Sequence, residues 1–143
     1  MRVFIDANVL FAAAISPDGR SAALFLLAEQ GFCELLTSPH AVTEARRNAE
    51  VPYPDALKRL ERLLHNATMV PEAAPSRAAW ARRQGLPEED APILAAAADA
   101  GAEVLVTGDR AHFGPLFGHT IGVVRVLRLA DTLNLVLGTK SGE

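Results

Sequence analysis

Four acidic residues stand where a carboxylate could do chemistry. Asp6 follows the short apolar run Val3-Phe4-Ile5, and Asp109 follows Glu103-Val104-Leu105-Val106-Thr107 after a single glycine; Glu44 falls mid-helix and Asp90 at a helix start. Taken singly, each has an ordinary explanation. Asp6 and Asp90 can cap free helical N–H groups, and Glu44 can face water. Taken together they suggest a shared cleft, in which carboxylates repel one another and partly protonate unless a hard divalent cation neutralises them. Ligation by oxygen alone selects Mg²⁺ or Mn²⁺.

Particular elements must bring those residues together. Val3-Phe4-Ile5 is β-branched and aromatic without polar alternation, which predicts a strand covered on both faces, and Glu103 to Thr107 predicts another. Both run into a carboxylate at the C-terminal strand edge, where open α/β sheets bind ligands. The intervening pattern predicts helices over Val9 to Ala14 and Arg20 to Gln30, a strand over Phe32 to Thr37, and a helix opened by Ser38-Pro39 that contains Glu44. Val51-Pro52-Tyr53-Pro54 breaks that helix, and Asp55 to Asn66 forms the next, with Leu57, Leu60, Leu63 and Leu64 on its apolar face. A strand at Thr68 to Val70 and a basic helix at Arg77 to Gln84 follow. The next helix runs from Pro87-Glu88-Glu89-Asp90 to Ala100-Gly101, with its acidic cluster expected in the first turn, where it favours the helix dipole. A last strand, Ile121 to Val126, and a helix, Leu129 to Leu137, complete the chain. Alternating strands and helices predict an α/β fold, a three-layer α/β/α sandwich with a central parallel sheet, with residues 1–143 as a single domain.

Composition narrows the setting. With 143 residues, half of them hydrophobic, the chain can bury a core without staples, and its one cysteine, Cys33, cannot form an intrachain disulfide. No apolar stretch reaches the roughly 18 residues of a membrane span, and no leader pattern opens the chain, so a soluble cytoplasmic protein with no membrane partner is expected. The net charge of −3 argues against wholesale attraction to nucleic acid, although twelve of the fourteen basic residues are arginine, whose fork suits phosphate.

The segment Val3-Phe4-Ile5-Asp6-Ala7-Asn8-Val9-Leu10, with Asp90-Ala91-Pro92-Ile93-Leu94-Ala95-Ala96-Ala97 and Leu105-Val106-Thr107-Gly108-Asp109, resembles the PIN domain family, including the VapC-type ribonuclease toxins of toxin–antitoxin systems. The resemblance extends over nearly the whole chain. It implies a metal-dependent acidic cleft that hydrolyses phosphodiesters in RNA, with Asp6, Glu44, Asp90 and Asp109 as catalytic and metal-binding acids and Asn8 and Thr107 supporting them. Glu88 and Glu89 compete with Asp90, which matches the motif in its spacing to Ile93-Leu94-Ala95, and Glu89 could assist it. RNA and an antitoxin protein are the implied partners. Candidate phosphate contacts are Arg46, Arg47, Arg82, Arg83 and Arg110, each of which could equally be a solvated helix residue. His112 and His119 read as surface imidazoles, since an all-carboxylate site needs neither.

Two other classes stay open. A non-catalytic PIN-like module could grip RNA or protein without cutting. An aspartate-based phosphoryl-transfer protein would also put acids at strand ends, but it needs a lysine beyond a late strand, and Lys58 and Lys140 fall on a helix and in the C-terminal tail. The four leucines of the Asp55 to Asn66 helix exceed what one small sheet can cover, and a homodimer is expected from them.

Overall fold

A computed structural model describes residues 1–50 and 54–141, and of residues 50 and 139–141 the backbone only. The predicted break at Val51-Pro52-Tyr53 lies outside them. The strands are β1 (Arg2–Ile5), β2 (Glu34–Thr37), β3 (Ala67–Met69), β4 (Val104–Val106), β5 (Thr120–Ile121) and β6 (Val124–Leu127). The helices are α1 (Ala7–Ile15), α2 (Arg20–Glu29), α3 (Pro39–Glu50), α4 (Pro54–Leu63), α5 (Pro75–Arg82), α6 (Ala91–Asp99), α7 (Arg110–Phe113) and α8 (Leu129–Ser141).

The strands form one sheet in the order β3-β2-β1-β4-β6-β5. All pairings are parallel except that of β5 with β6. Val3, Phe4 and Ile5 are fully buried, as are Leu105 and Val106. Because successive strand residues face opposite sides, this burial requires cover on both faces, which is the α/β/α layering. Helices α1 to α4 pack on one another, and α5 packs on α6. Ala95, Ala96 and Ala97 of α6 are fully buried, as small residues at a close helix contact should be. Among the described residues no single helix is long and apolar enough to cross a membrane.

Chain order reverses at the centre of the sheet. From β1 the chain moves to β2 on one side, and β4 later returns to the other side of β1. That is a topological switch point, and the crevice beyond the C-terminal ends of β1 and β4 is the expected ligand position. The register pairs Ile5 with Val106, so Asp6 and Thr107 leave the sheet side by side.

Three expectations need correction. Ile121 to Val126 is not one strand: Ile121 pairs with Val124 across Gly122-Val123, and Gly122 has φ 65. Glycine at the first central position of a two-residue loop is the type II′ pattern, which turns the apolar run back on itself as an antiparallel edge hairpin. Next, α6 starts at Ala91, so Glu88 and Glu89 precede the helix rather than occupy its first turn. Finally, the leucines of α4 and the turn after it pack on their own chain, Leu60 completely and Leu57, Leu63 and Leu64 in part. The apolar surplus behind the expected homodimer is therefore taken up internally, leaving Leu26, Met69, Val123 and Leu137 as the exposed large hydrophobics among the described residues.

Candidate active site

Asp6, Glu44, Asp90 and Asp109 line one cleft of about 360 Å³, together with Ala7, Asn8, Asn48, Glu89, Gly108 and His112. Each acid arrives on a different element. Asp6 lies between β1 and α1, Glu44 projects from α3, Asp90 precedes α6, and Asp109 lies between β4 and α7.

Asp6 is 4% exposed and is held at both oxygens. Its Oδ1 accepts from the Ala7 N–H at 2.7 Å, so it does cap α1, while Oδ2 accepts from the Thr107 hydroxyl at 2.8 Å. Thr107 is fully buried and uses its whole hydrogen-bonding capacity: besides donating to Asp6, its oxygen accepts from Asn8 Nδ2 at 3.3 Å and from the Asp109 N–H at 3.1 Å. Asn8 also takes the Gly108 N–H on its Oδ1 at 2.8 Å, lacing the end of β1 to the loop after β4. Desolvation pushes the Asp6 carboxyl up to about 6; Glu44 and Asp90 add to the rise, and the Thr107 and Ala7 hydrogen bonds oppose it.

Asp90 does not cap its helix. Its side chain makes no hydrogen bond to α6, and its Oδ2 is buried without a hydrogen-bond partner. Burial raises its pKa, with Asp109, Glu89 and Glu44 adding repulsion and His112 opposing them. His112 Nδ1 stands 2.8 Å from Asp90 Oδ2 and 2.9 Å from Asp109 Oδ2. A ring nitrogen carries one proton at most, so Nδ1 can donate to only one of the two carboxylates, and hydrogen-bond geometry is met with Asp109. Asp109 Oδ1 accepts from the His112 N–H at 3.1 Å, which caps α7. Asp90 Oδ2 is thus a buried carboxylate oxygen in the cleft with no hydrogen bond among the described residues, its near neighbour His112 Nδ1 being bonded to Asp109.

This donor set fits a hard divalent cation. It is dominated by carboxylate oxygens, one of them orphaned, and ligand atoms of Glu89, Asp90 and His112 lie within 4.8 Å of one another.

The sequence-derived candidates divide clearly. The four acids meet, with Asn8 in the cleft wall, Thr107 buried behind Asp6, and Glu89 beside Asp90. Arg46 is committed elsewhere: it grips Glu61 through two hydrogen bonds of 2.6 and 2.9 Å, which raise the guanidinium pKa and lower that of the carboxylate. Arg47 lines a neighbouring cavity with Glu44 and Glu89, and Arg110 an adjoining one that includes Gly108. Arg82 and Arg83, at the end of α5, do not line the cleft. His119 is also outside it, whereas His112, at the surface as expected, lines the cleft and stands beside two of its acids. Its i,i+3 spacing from Asp109 was the available signal, hidden because α7 is only four residues long. Asn48 was likewise legible as the residue one helical turn after Glu44.

A family model described as a PIN domain matches residues 2–111. No curated protein matches the chain in sequence. Among solved structures, the chain is similar to VapBC2 from Rickettsia felis bound to a DNA fragment from their promoter, at TM-score 0.65 and 15% identity over 90% of this chain and 98% of that one. It is similar to PAE2754 from Pyrobaculum aerophilum at TM-score 0.65 and 18% identity, over 96% of each chain. The Mycobacterium tuberculosis toxin VapC20, described as cleaving the Sarcin-Ricin loop, matches at TM-score 0.53 and 18% identity over 75% of this chain and 91% of that one. At such identities the likeness is one of fold.

Proposed function

The chain belongs to the PIN domain family, and from that premise we propose that it is a Mg²⁺- or Mn²⁺-dependent endoribonuclease of the cytoplasm, acting as the toxin of a toxin–antitoxin pair. The observation that supports this best is the orphaned Oδ2 of Asp90 in a cleft shared with Asp6, Glu44 and Asp109 at the sheet's switch point. The description of VapC20 as a Sarcin-Ricin loop cleaving toxin favours RNA as substrate, and the VapBC2 complex favours an antitoxin partner.

In this reading Asp6, Glu44, Asp90 and Asp109 hold the ion, with Glu89 beside them. A cation bound there would polarise the scissile phosphate and lower the pKa of a water nucleophile. Thr107 and Asn8 fix Asp6 in one orientation, so the carboxylate needs no reorganisation on binding. Glu44, exposed on α3, would complete the acidic set at the open side of the cleft.

A phosphoryl-transfer protein fits less well, since among the described residues no lysine lines the cleft. Self-association remains part of the proposal, now supported by exposed Leu26 and Leu137 on α2 and α8, two helices in mutual contact. Sedimentation giving only monomer at micromolar concentration removes it.

The deciding experiment is digestion of a generic single-stranded RNA in Mn²⁺ or Mg²⁺ and in EDTA, with Asp6→Asn alongside. Cleavage by wild type that needs metal and falls by well over tenfold in the variant is expected. RNA left intact by wild type, or cut equally by Asp6→Asn, overturns the proposal.

A further inference from the structure

A second cavity of about 330 Å³ abuts the acidic cleft, and its charge is of the opposite sign. Arg20 at the start of α2, Arg110 at the start of α7 and Arg128 just before α8 line it, with Thr107, Gly108 and Phe117. Gly108 lies in the wall of both cavities, so a ligand leaving the acids across this residue enters the arginine-lined space.

These arginines are largely uncommitted within the protein. Arg46 and Arg77 are held by carboxylates at 2.6 and 3.0 Å, but Arg20 and Arg110 have no ion-pair or hydrogen-bond partner among the described residues. Arg128 has only an exposed i,i+3 contact to Asp131 at 3.3 Å, the kind of pair that adds little stability and yields readily to a better anion. All three are exposed, and neither Arg20 nor Arg128 would be linked to Asp109 by sequence position. Three exposed guanidinium groups around one cavity, of which only Arg128 has a carboxylate partner, offer a phosphate bidentate hydrogen bonds. Leu129 and Ala130, from the first turn of α8, line the same space, adding the dipole of a thirteen-residue helix. Half-buried Phe117 offers an aromatic surface at its wall.

Resting on the ribonuclease reading, we infer that Arg20, Arg110 and Arg128 form a subsite for a non-scissile phosphate of the substrate RNA, on the far side of Gly108 from the acids. The acidic cleft by itself repels a polyanion. The arginine pocket offsets that repulsion and fixes the direction in which the strand crosses the site, with the reacting phosphate at the acids and a neighbouring one held by the guanidinium groups.

The test compares wild type, Arg20→Gln/Arg128→Gln, Arg110→Gln and, as a control that removes one exposed positive charge on α4, Lys58→Gln. Each is assayed in Mn²⁺ on a single-stranded RNA oligonucleotide and on bis(p-nitrophenyl) phosphate, a diester with one phosphate only. Thermal melts check that each variant is folded. The subsite predicts a rise of about tenfold in KM for RNA in the double variant with kcat little changed, and a salt slope shallower by about 0.7 for each phosphate that is no longer gripped. Hydrolysis of the one-phosphate diester and the behaviour of Lys58→Gln stay as in wild type. Wild type that cuts RNA no better than the folded double variant overturns the subsite and leaves the ribonuclease reading standing. Wild type that cuts neither substrate overturns the ribonuclease reading and the subsite with it. Equal loss on both substrates assigns the arginines to the reacting phosphate and overturns the subsite as stated.

Discussion

Asp6 and Thr107 end two adjacent parallel strands and are joined there by a 2.8 Å hydrogen bond from hydroxyl to carboxylate. The threonine also receives Asn8 and the Asp109 N–H, so one buried hydroxyl sets the positions of groups around the switch point. Thr107→Val keeps the shape and deletes all three bonds. We expect a loss of about 2 kcal/mol in urea unfolding, because buried polar groups are left unpaired, and a Mn²⁺ affinity lower by about tenfold. Unchanged metal affinity in the folded variant rules out a positioning role.

Asp6 has opposite effects on stability and metal binding. Its pKa is raised from 3.8 to about 6 in the folded protein, so between those values the native state binds more protons than the unfolded chain. Unfolding free energy then falls as pH rises: the extra stability of the protonated form is complete below 3.8 and is lost through about pH 6. The raised Asp90 acts in the same direction. In EDTA, Asp6→Asn should flatten this profile and gain on the order of 2–3 kcal/mol at pH 7, less whatever the amide loses at Thr107. With Mn²⁺ present the advantage should shrink or reverse. An EDTA profile identical to wild type shows that Asp6 is not strained in the native state.

How much of the molecule is legible in its sequence depends on where the information resides. Strands β1 and β4 were legible because uninterrupted burial leaves an unbroken apolar run, and the acids at their ends followed. The hairpin of β5 and β6 was hidden inside an equally apolar run, where one glycine decides between extension and reversal. Arg20 and Arg128 come from opposite ends of the chain, and only the packing of α2 against α8 and the return of β6 to β4 bring them beside Gly108. Asp90 looked like a cap since its place before a helix is correct; only the structure shows that its side chain turns away from that duty.

Gly122 gives a test of the hairpin alone. At φ 65 an alanine is strained, and its Cβ would also meet Trp80 Cζ2 at 3.2 Å. Gly122→Ala should cost about 1–2 kcal/mol, read as a lower melting temperature with altered tryptophan fluorescence, while RNA cleavage at 25 °C is retained. A melting temperature equal to wild type would mean that the chain does not turn there.

His112 can be assigned by the sign of one number. In the structure its Nδ1 sits between Asp90 and Asp109, where a protonated ring would be the counter-charge to the two acids. If that is its task, His112→Ala loses a screened, half-exposed interaction of about 0.5 kcal/mol in EDTA, and the melting temperature of the metal-free variant falls slightly. Mn²⁺ then replaces a charge that is missing rather than one already supplied. The metal-induced rise in melting temperature should therefore be larger in His112→Ala than in wild type. If His112 were a ligand, deleting it would remove a bond to the ion, and the rise would be smaller. His112→Gln keeps a hydrogen-bond donor without the capacity for positive charge, and should resemble the alanine variant if charge is what matters. The five carboxylates lining the cleft and the preference of Mg²⁺ and Mn²⁺ for oxygen favour the larger rise.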